Sequence, residues 1–324
     1  MLRIYLLGNF RVERDGTLIP AADWARRKTS SLLKLLALQP GHRLHREQVM
    51  ELLWPDLDPT AARDNFYRNL SFLRHTLEPN LKRPADSHCL SLEAEVLKLG
   101  PPGEVWIDVD AFEGLIAQAR TSSEPLPLLE EAISLYGGEL LPEDAYEEWA
   151  IAPRDLLSQA AIKALLQIAE ARREEGAYEP AIAALQRILS LERTDEQAHR
   201  ELMRLYALDG RRHDALRQYE QCSKVLQSEL NIEPEPETTE LYKSIARGDI
   251  ARGEVAPPRP SRILEEIEPL NNLPAAGAPL IGREREVETA CRHLRHHDVR
   301  LLTMTGTGGI GKTRLAIVVA HTLL

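Results

Sequence analysis

Apolar and polar positions alternate at the start of the chain. Leu2, Ile4 and Leu6 occupy every second place in "LRIYLL", "FRVER" follows, and Asp15-Gly16 separates it from "TLI". A period of two broken by Asp-Gly predicts short strands joined by a tight hairpin turn. The period then changes to that of a helix. "KTSSLLKLLALQ" places Leu32, Leu35, Leu36 and Leu38 mostly on one face before Pro40-Gly41, and "HREQVMELLW" groups Val49, Leu52 and Leu53 before Pro55. "TAARDNFYRNLSFLRHTLEP" puts Phe66, Leu70, Leu73 and Leu77 at steps of four, three and four, a buried stripe. "HCLSLEAEVLKLG" reads as a hairpin with strands about Leu90–Leu92 and Val96–Leu99. Strands, three helices and a closing hairpin predict a winged helix-turn-helix over residues 1–103.

From "WIDVDAFEGLIAQA" to "LYKSIARG" the pattern is helical almost throughout, and it repeats. "GAYEPAIAAL" and "GRRHDALRQY" lie 34 residues apart, aligning Gly176 with Gly210, Ala181 with Ala215 and Leu185 with Tyr219. Glycine between helices and alanine at a close crossing, at that period, is the tetratricopeptide pattern. Residues 104–248 are therefore expected to be an all-helical stack, completed by "ISLYGGELLPEDAYEEW" and the helix over 154–174 because two units bury too little alone. Residues 249–279 carry six prolines with little periodicity and read as a linker. A further module starts at residue 280 and runs to 324.

That module holds the most specific motif of the chain. Gly306-Thr307-Gly308-Gly309-Ile310-Gly311-Lys312-Thr313 fits G-x-x-x-x-G-K-[ST], with the apolar strand pattern "RLLTMT" before it and the helix pattern "RLAIVVAHTLL" after it. Gly306, Gly308, Gly309 and Gly311 let backbone N–H groups turn inward around phosphate oxygens at a helix N-terminus. Lys312 is placed for the β- and γ-phosphates and Thr313 for Mg²⁺, so ATP or ADP with Mg²⁺ is the expected cofactor. Hydrolysis also needs an acidic metal-holding group and a water-positioning group on later strands. The chain stops eleven residues after Thr313, so it is expected to be a fragment of a longer protein and not a complete ATPase. No catalytic residue is assigned.

Several stretches together resemble known families. "LIGREREVETA", 24 residues ahead of the phosphate loop, followed by "TGTGGIGKTRLA", is similar to the STAND class of signal-transduction ATPases, including the NB-ARC group. That likeness implies that Arg283 borders the nucleotide and that nucleotide state acts as a switch. "RRKTSSLLKLLAL", "REQVMELLWPD", "ARDNFYRNLSFLRHTLEP" and "WIDVDAFE" resemble the OmpR-type winged helix of the Streptomyces antibiotic regulatory proteins (SARPs). "YEEW", "AHRELMRLYALDGRRHDALRQYEQC" and "SELNIEPEPETTELY" resemble their bacterial transcriptional activator domain, with Asn231 where glycine is usual. The resemblance implies a mainly α protein. Its order would be an α+β OmpR-type winged helix, a tetratricopeptide-like helical domain, and the start of an α/β P-loop NTPase domain.

Charge agrees with that order. The net charge of −10 divides into +5 over residues 1–83 and −15 over the rest, so only the head suits a polyanion. With its leucines buried, the third helix offers Arg63, Asn65, Tyr67, Arg68, Ser71, Arg74 and His75 on the other side. A helix fits the major groove, where arginine reads guanine and asparagine reads adenine, each worth about 1–3 kcal/mol of discrimination. Arg68 and Asn65 are assigned to base edges, and Arg63, Ser71, Arg74 and His75 to phosphates, with Lys28 and Thr29 at the first helix start as further phosphate contacts. The wing tip departs from expectation, because Glu93 and Glu95 are acidic where a minor-groove wing carries arginine or lysine.

Other signals are weaker. Cys291, His293, His296 and His297 fit no common zinc spacing and read as a solvated helix face. Trp54, Trp106 and Trp149 read as core or interdomain anchors. Three scattered cysteines form no disulfide framework, which favours a reducing cytoplasm, and no apolar run reaches the roughly 18 residues of a membrane span.

The reading that joins these features is a cytoplasmic, sequence-specific transcriptional activator. Its head binds double-stranded promoter DNA, and its middle contacts RNA polymerase or a second protomer in a homo-oligomer. A signalling ATPase whose front domains bind proteins, and a scaffold built on the helical stack, remain open beside it.

Overall fold

The computed structural model describes residues 1–24, 26–101, 103–249, 283–294 and 312–323. It divides into two compact units, Met1–Val255 and Ala256–Leu324.

In the first unit, strands β1 (Leu2–Tyr5), β2 (Arg11–Arg14) and β3 (Thr17–Leu18) form an antiparallel meander. Asp15 and Gly16 both take positive φ, 49° and 78°, which gives the turn the twist of its strands. Helix α1 (Arg27–Ala37) follows, then β4 (Arg43–His45), α2 (Arg46–Leu53) and α3 (Pro59–Leu77). The start of α3 is fixed locally. Pro59 needs no donor there, and the Asp58 carboxylate accepts from the N–H groups of Thr60 and Ala61 at 3.0 and 3.1 Å. Its stripe of Phe66, Leu70, Leu73 and Leu77 is buried as the spacing requires. The closing hairpin is β5 (Leu90–Glu93) and β6 (Val96–Leu99), with β4 paired on the far side of β6.

Strand β7 (Val105–Ile107) pairs in parallel with β1, so a segment read as the beginning of the helical region completes the first sheet, in the order β3-β2-β1-β7. Three residues are too few to carry a legible period.

Helices α4 (Asp108–Ala119), α5 (Pro125–Leu135), α6 (Glu148–Glu174), α7 (Tyr178–Leu191), α8 (Glu196–Leu208), α9 (Arg212–Val225) and α10 (Pro236–Arg247) form the stack. The 34-residue repeat is visible in it. Gly176 and Gly210 take φ of 74° and 80° between α6 and α7 and between α8 and α9, while Ala181 and Ala215 are fully buried. Asn231 ends the π-turn that extends α9 in the left-handed conformation, φ 56°.

One apolar core runs from Leu2 to Ile245. The seam between head and stack is also polar and backbone-bonded. Gly8 N–H donates to Glu139 O at 2.8 Å and Leu141 N–H to Leu6 O at 3.0 Å. The buried Asp108 carboxylate accepts from the N–H groups of Leu6, Leu7 and Val109 at 2.8–2.9 Å, three donors that replace its lost water.

In the second unit, α11 (Glu284–Leu294) and α12 (Lys312–Leu323) pack through Ala290, Cys291, Leu315 and Val319. Cys291 points into that contact, and no metal-holding cluster occurs among the described residues. Gly306, Gly308, Gly309 and Gly311 lie outside the described residues, as do His296, His297 and the strand expected before the loop.

Candidate nucleic-acid interface

The polar side of α3 is the exposed side of the head's longest helix. Arg63, Tyr67, Arg68 and His75 are exposed, with Asn65 and Ser71 half-buried beside them. Burying Phe66, Leu70, Leu73 and Leu77 on one arc of a 3.6-residue helix leaves the opposite arc to face out.

Not every residue expected on this side is available. Thr29 is only 2% exposed, and its hydroxyl donates to Asn69 Oδ1 at 2.9 Å, fastening α1 to α3. The phosphate contact expected of Thr29 is therefore withdrawn; its neighbour Lys28 keeps 39% of its side chain exposed. Arg74 Nε donates to Leu90 O at 3.1 Å and so braces the wing, and burial pushes its guanidinium down from the ordinary value. Asn65 gives its Nδ2 to Ala61 O at 2.9 Å, a bond that must open before both ends of the amide meet an adenine. His75 Nδ1 lies 2.9 Å from Ser71 O within the helix. Arg63 and Arg68 have no ion pair among the described residues.

Two arginines flank this face without any apolar-pattern signal. Arg26 stacks on Phe72 of α3, with its guanidinium carbon 3.3 Å from the ring centroid. Arg46 opens α2 and reaches Tyr67 and Glu95 together. Only their places just before or at a helix start mark them in the sequence.

The α1 start also meets the stack. Arg27 lies 3.2 Å and Lys28 3.9 Å from the Glu147 carboxylate, and Lys34 pairs with Asp144 and Glu143. Arg154 holds the loop that carries these acids by donating to the carbonyls of Leu140, Leu141 and Asp144. The three tryptophans expected as anchors lie half-buried, with Trp54 and Trp149 against the main core and Trp106 edge-on to Tyr5.

Fold and surface thus define a winged-helix head joined through one core to a helical stack. Comparison with known proteins agrees. Residues 107–246 match the family described as Bacterial transcriptional activator domain. Across 99% of its length the chain is 25% identical to "Regulatory protein AfsR" of Streptomyces coelicolor, covering 32% of that protein. It is 24% identical to "Transcriptional regulatory protein MoaR1" of Mycobacterium tuberculosis, over 77% of this chain and 83% of that one. In fold it is similar to the solved structure "Mycobacterium tuberculosis EmbR in complex with low affinity phosphopeptide", with a TM-score of 0.59 and 23% identity over 76% of this chain and 65% of that chain. Residues 107–246 thus form a bacterial transcriptional activator domain, and the chain as a whole is similar to proteins named as regulators. It spans about a third of the length of the AfsR relatives it matches.

Proposed function

We propose that this chain is the promoter-binding part of a transcriptional activator. Helix α3 enters the major groove, with Arg68 and Asn65 on base edges and Arg63, Lys28 and His75 on phosphates. The observation that carries this reading is the division of α3 into an apolar side sunk in the core and a polar, basic side left open. The charge balance of the head supports it, as does likeness to proteins named as regulators.

The helical stack would contact RNA polymerase, and a second copy of the chain on adjoining promoter repeats would make the bound form a homo-oligomer. The cytoplasm is the expected compartment; no helix among the described residues is long and apolar enough to cross a membrane. Residues 280–324 would begin an ATP-responsive switch. Lys312 and Thr313, which open α12, would meet the phosphates and Mg²⁺, and Arg283 would border the nucleotide.

Selection of bound fragments from sheared genomic DNA, across a salt series, tests the reading. A recurring sequence motif is expected, with affinity falling steeply as salt rises, by about 0.9 in log–log slope per phosphate contact. Retention of no fragment, or of all fragments equally, would leave the polar side of α3 without this role.

A further inference from the structure

The acidic wing tip folds back on the protein. Ala94 and Glu95 both take positive φ, 47° and 67°, turning the hairpin tightly. Glu95 O accepts from the Arg46 N–H at 2.8 Å, and the Glu95 carboxylate stands 2.7 Å from Arg46 Nη1. Glu93, the other acid of the tip, is paired with Lys98 at 2.8 Å. Nothing in the tip is arranged to enter a minor groove.

The same Arg46 Nη1 donates to the hydroxyl oxygen of Tyr67 at 2.9 Å. Arg46 is 19% exposed, and its Nε is buried without a partner, so Glu95 and Tyr67 are the groups that orient the guanidinium. Tyr67 is 43% exposed on the polar side of α3, one position before Arg68.

A guanidinium donates and never accepts, so at this contact the tyrosine oxygen is the acceptor. With Arg46 donating to that oxygen, the phenolic O–H is the group that Tyr67 has left to offer as a donor. Among the described residues no carbonyl or carboxylate receives it.

We infer that Arg46, held by Glu95 of the wing, is a positioning residue that fixes Tyr67 as a hydrogen-bond donor toward DNA. Tyr67 thereby selects base pairs presenting an acceptor in the major groove. This inference rests on the DNA-binding reading above. A hydroxyl free to rotate meets acceptors and donors alike. One whose oxygen is already occupied favours guanine N7 and O6, adenine N7 or thymine O4, and disfavours the amino group of cytosine. The acidic tip serves recognition indirectly, by aiming a donor into the groove next door.

The test is site selection from a randomised duplex library with the full chain, comparing wild type, Tyr67→Phe, Arg46→Met, Arg46→Lys and the Phe/Met double variant. Tyr67→Phe and Arg46→Met should relax preference at the same base pair, each by about three- to tenfold, the range of one net hydrogen bond. The double variant should lose no more than either alone, and Arg46→Lys should restore the preference. The salt slope of Arg46→Met should equal the wild type's. A fall of about 0.9 in that slope, with all sequences weakened alike, would make Arg46 a phosphate contact instead and overturn the inference. Additive losses at different base pairs would overturn it too. Should Arg46→Met fail to fold, Glu95→Gln keeps both partners in place and must still loosen that same base pair; if it does not, the inference fails. A wild-type chain that enriches no sequence removes the DNA-binding reading along with it, whereas an enriched site indifferent to Arg46 removes the inference alone.

Discussion

Lys34 of α1 and Asp144 of the loop before α6 form an ion pair at 2.5 Å, with 4% and 3% of their side chains exposed. One partner belongs to the winged-helix head and the other to the helical stack. Two charges taken out of water repay their desolvation only when each finds its counter-ion, so head and stack hold each other in one register. Arg27 and Glu143 reinforce the pair from either side, at 3.8 Å to Asp144 and 3.1 Å to Lys34.

Replacing Lys34 with methionine strands a buried carboxylate and should cost about 3 kcal/mol, the low end for a broken buried pair because Arg27 remains nearby. Adding Asp144→Leu should recover most of the loss. Urea unfolding measures both. A single-variant change under about 1 kcal/mol would mean that the pair is solvated in solution.

The head should not fold independently. Cutting after residue 103 removes β7 from the sheet, the Asp108 carboxylate from Leu6 and Leu7, and Asp144 from Lys34. Residues 1–103 are expected to unfold without a cooperative transition, whereas residues 1–249 should melt in one step by calorimetry. Two resolved transitions in the longer piece would show the core to be divided.

Gly176 and Gly210 occupy equivalent left-handed turns with open space around the absent Cβ. Alanine at either position meets no clash and suffers only the backbone penalty, about 1–2 kcal/mol. The two substitutions should lower the urea midpoint by similar amounts. A marked inequality would mean that the two helical hairpins are not structural repeats.

His199 lies 1% exposed in α8, with Nε2 3.0 Å from Arg193 O and Nδ1 against the Gln218 amide. Burial pushes its pKa below the ordinary 6.5, so the folded chain keeps it neutral while the unfolded chain protonates. Its share of stability is complete above about pH 6.5 and declines as pH falls below that value. Stability curves from pH 7.5 to 5 should therefore slope less in His199→Gln than in wild type, and parallel curves would contradict this account.

Long periodic segments were legible from the residues alone. Phe66, Leu70, Leu73 and Leu77 gave α3, and Gly176 with Gly210 gave the repeat, because each signal spans several turns. Strands β4 and β7 were hidden, since three residues pair only when a distant strand supplies the partner. The polar side of α3 was readable, but its internal bonds were not. Thr29 looks like any helix-start threonine until Asn69 is found opposite, and Arg46 gains meaning only where the wing brings Glu95 to it. Such contacts join residues 40 or more positions apart, beyond the reach of any local pattern.

Arg68 is the most direct probe of the whole account, being exposed at the middle of α3's open side and free of ion pairs among the described residues. Binding of the full chain to its selected site should be compared for wild type and Arg68→Ala by titration and footprinting. The account predicts a loss of about 1–3 kcal/mol on the selected site, with a relaxed choice of base at one position and unchanged thermal stability. Equal affinity and an identical footprint in the variant would contradict it.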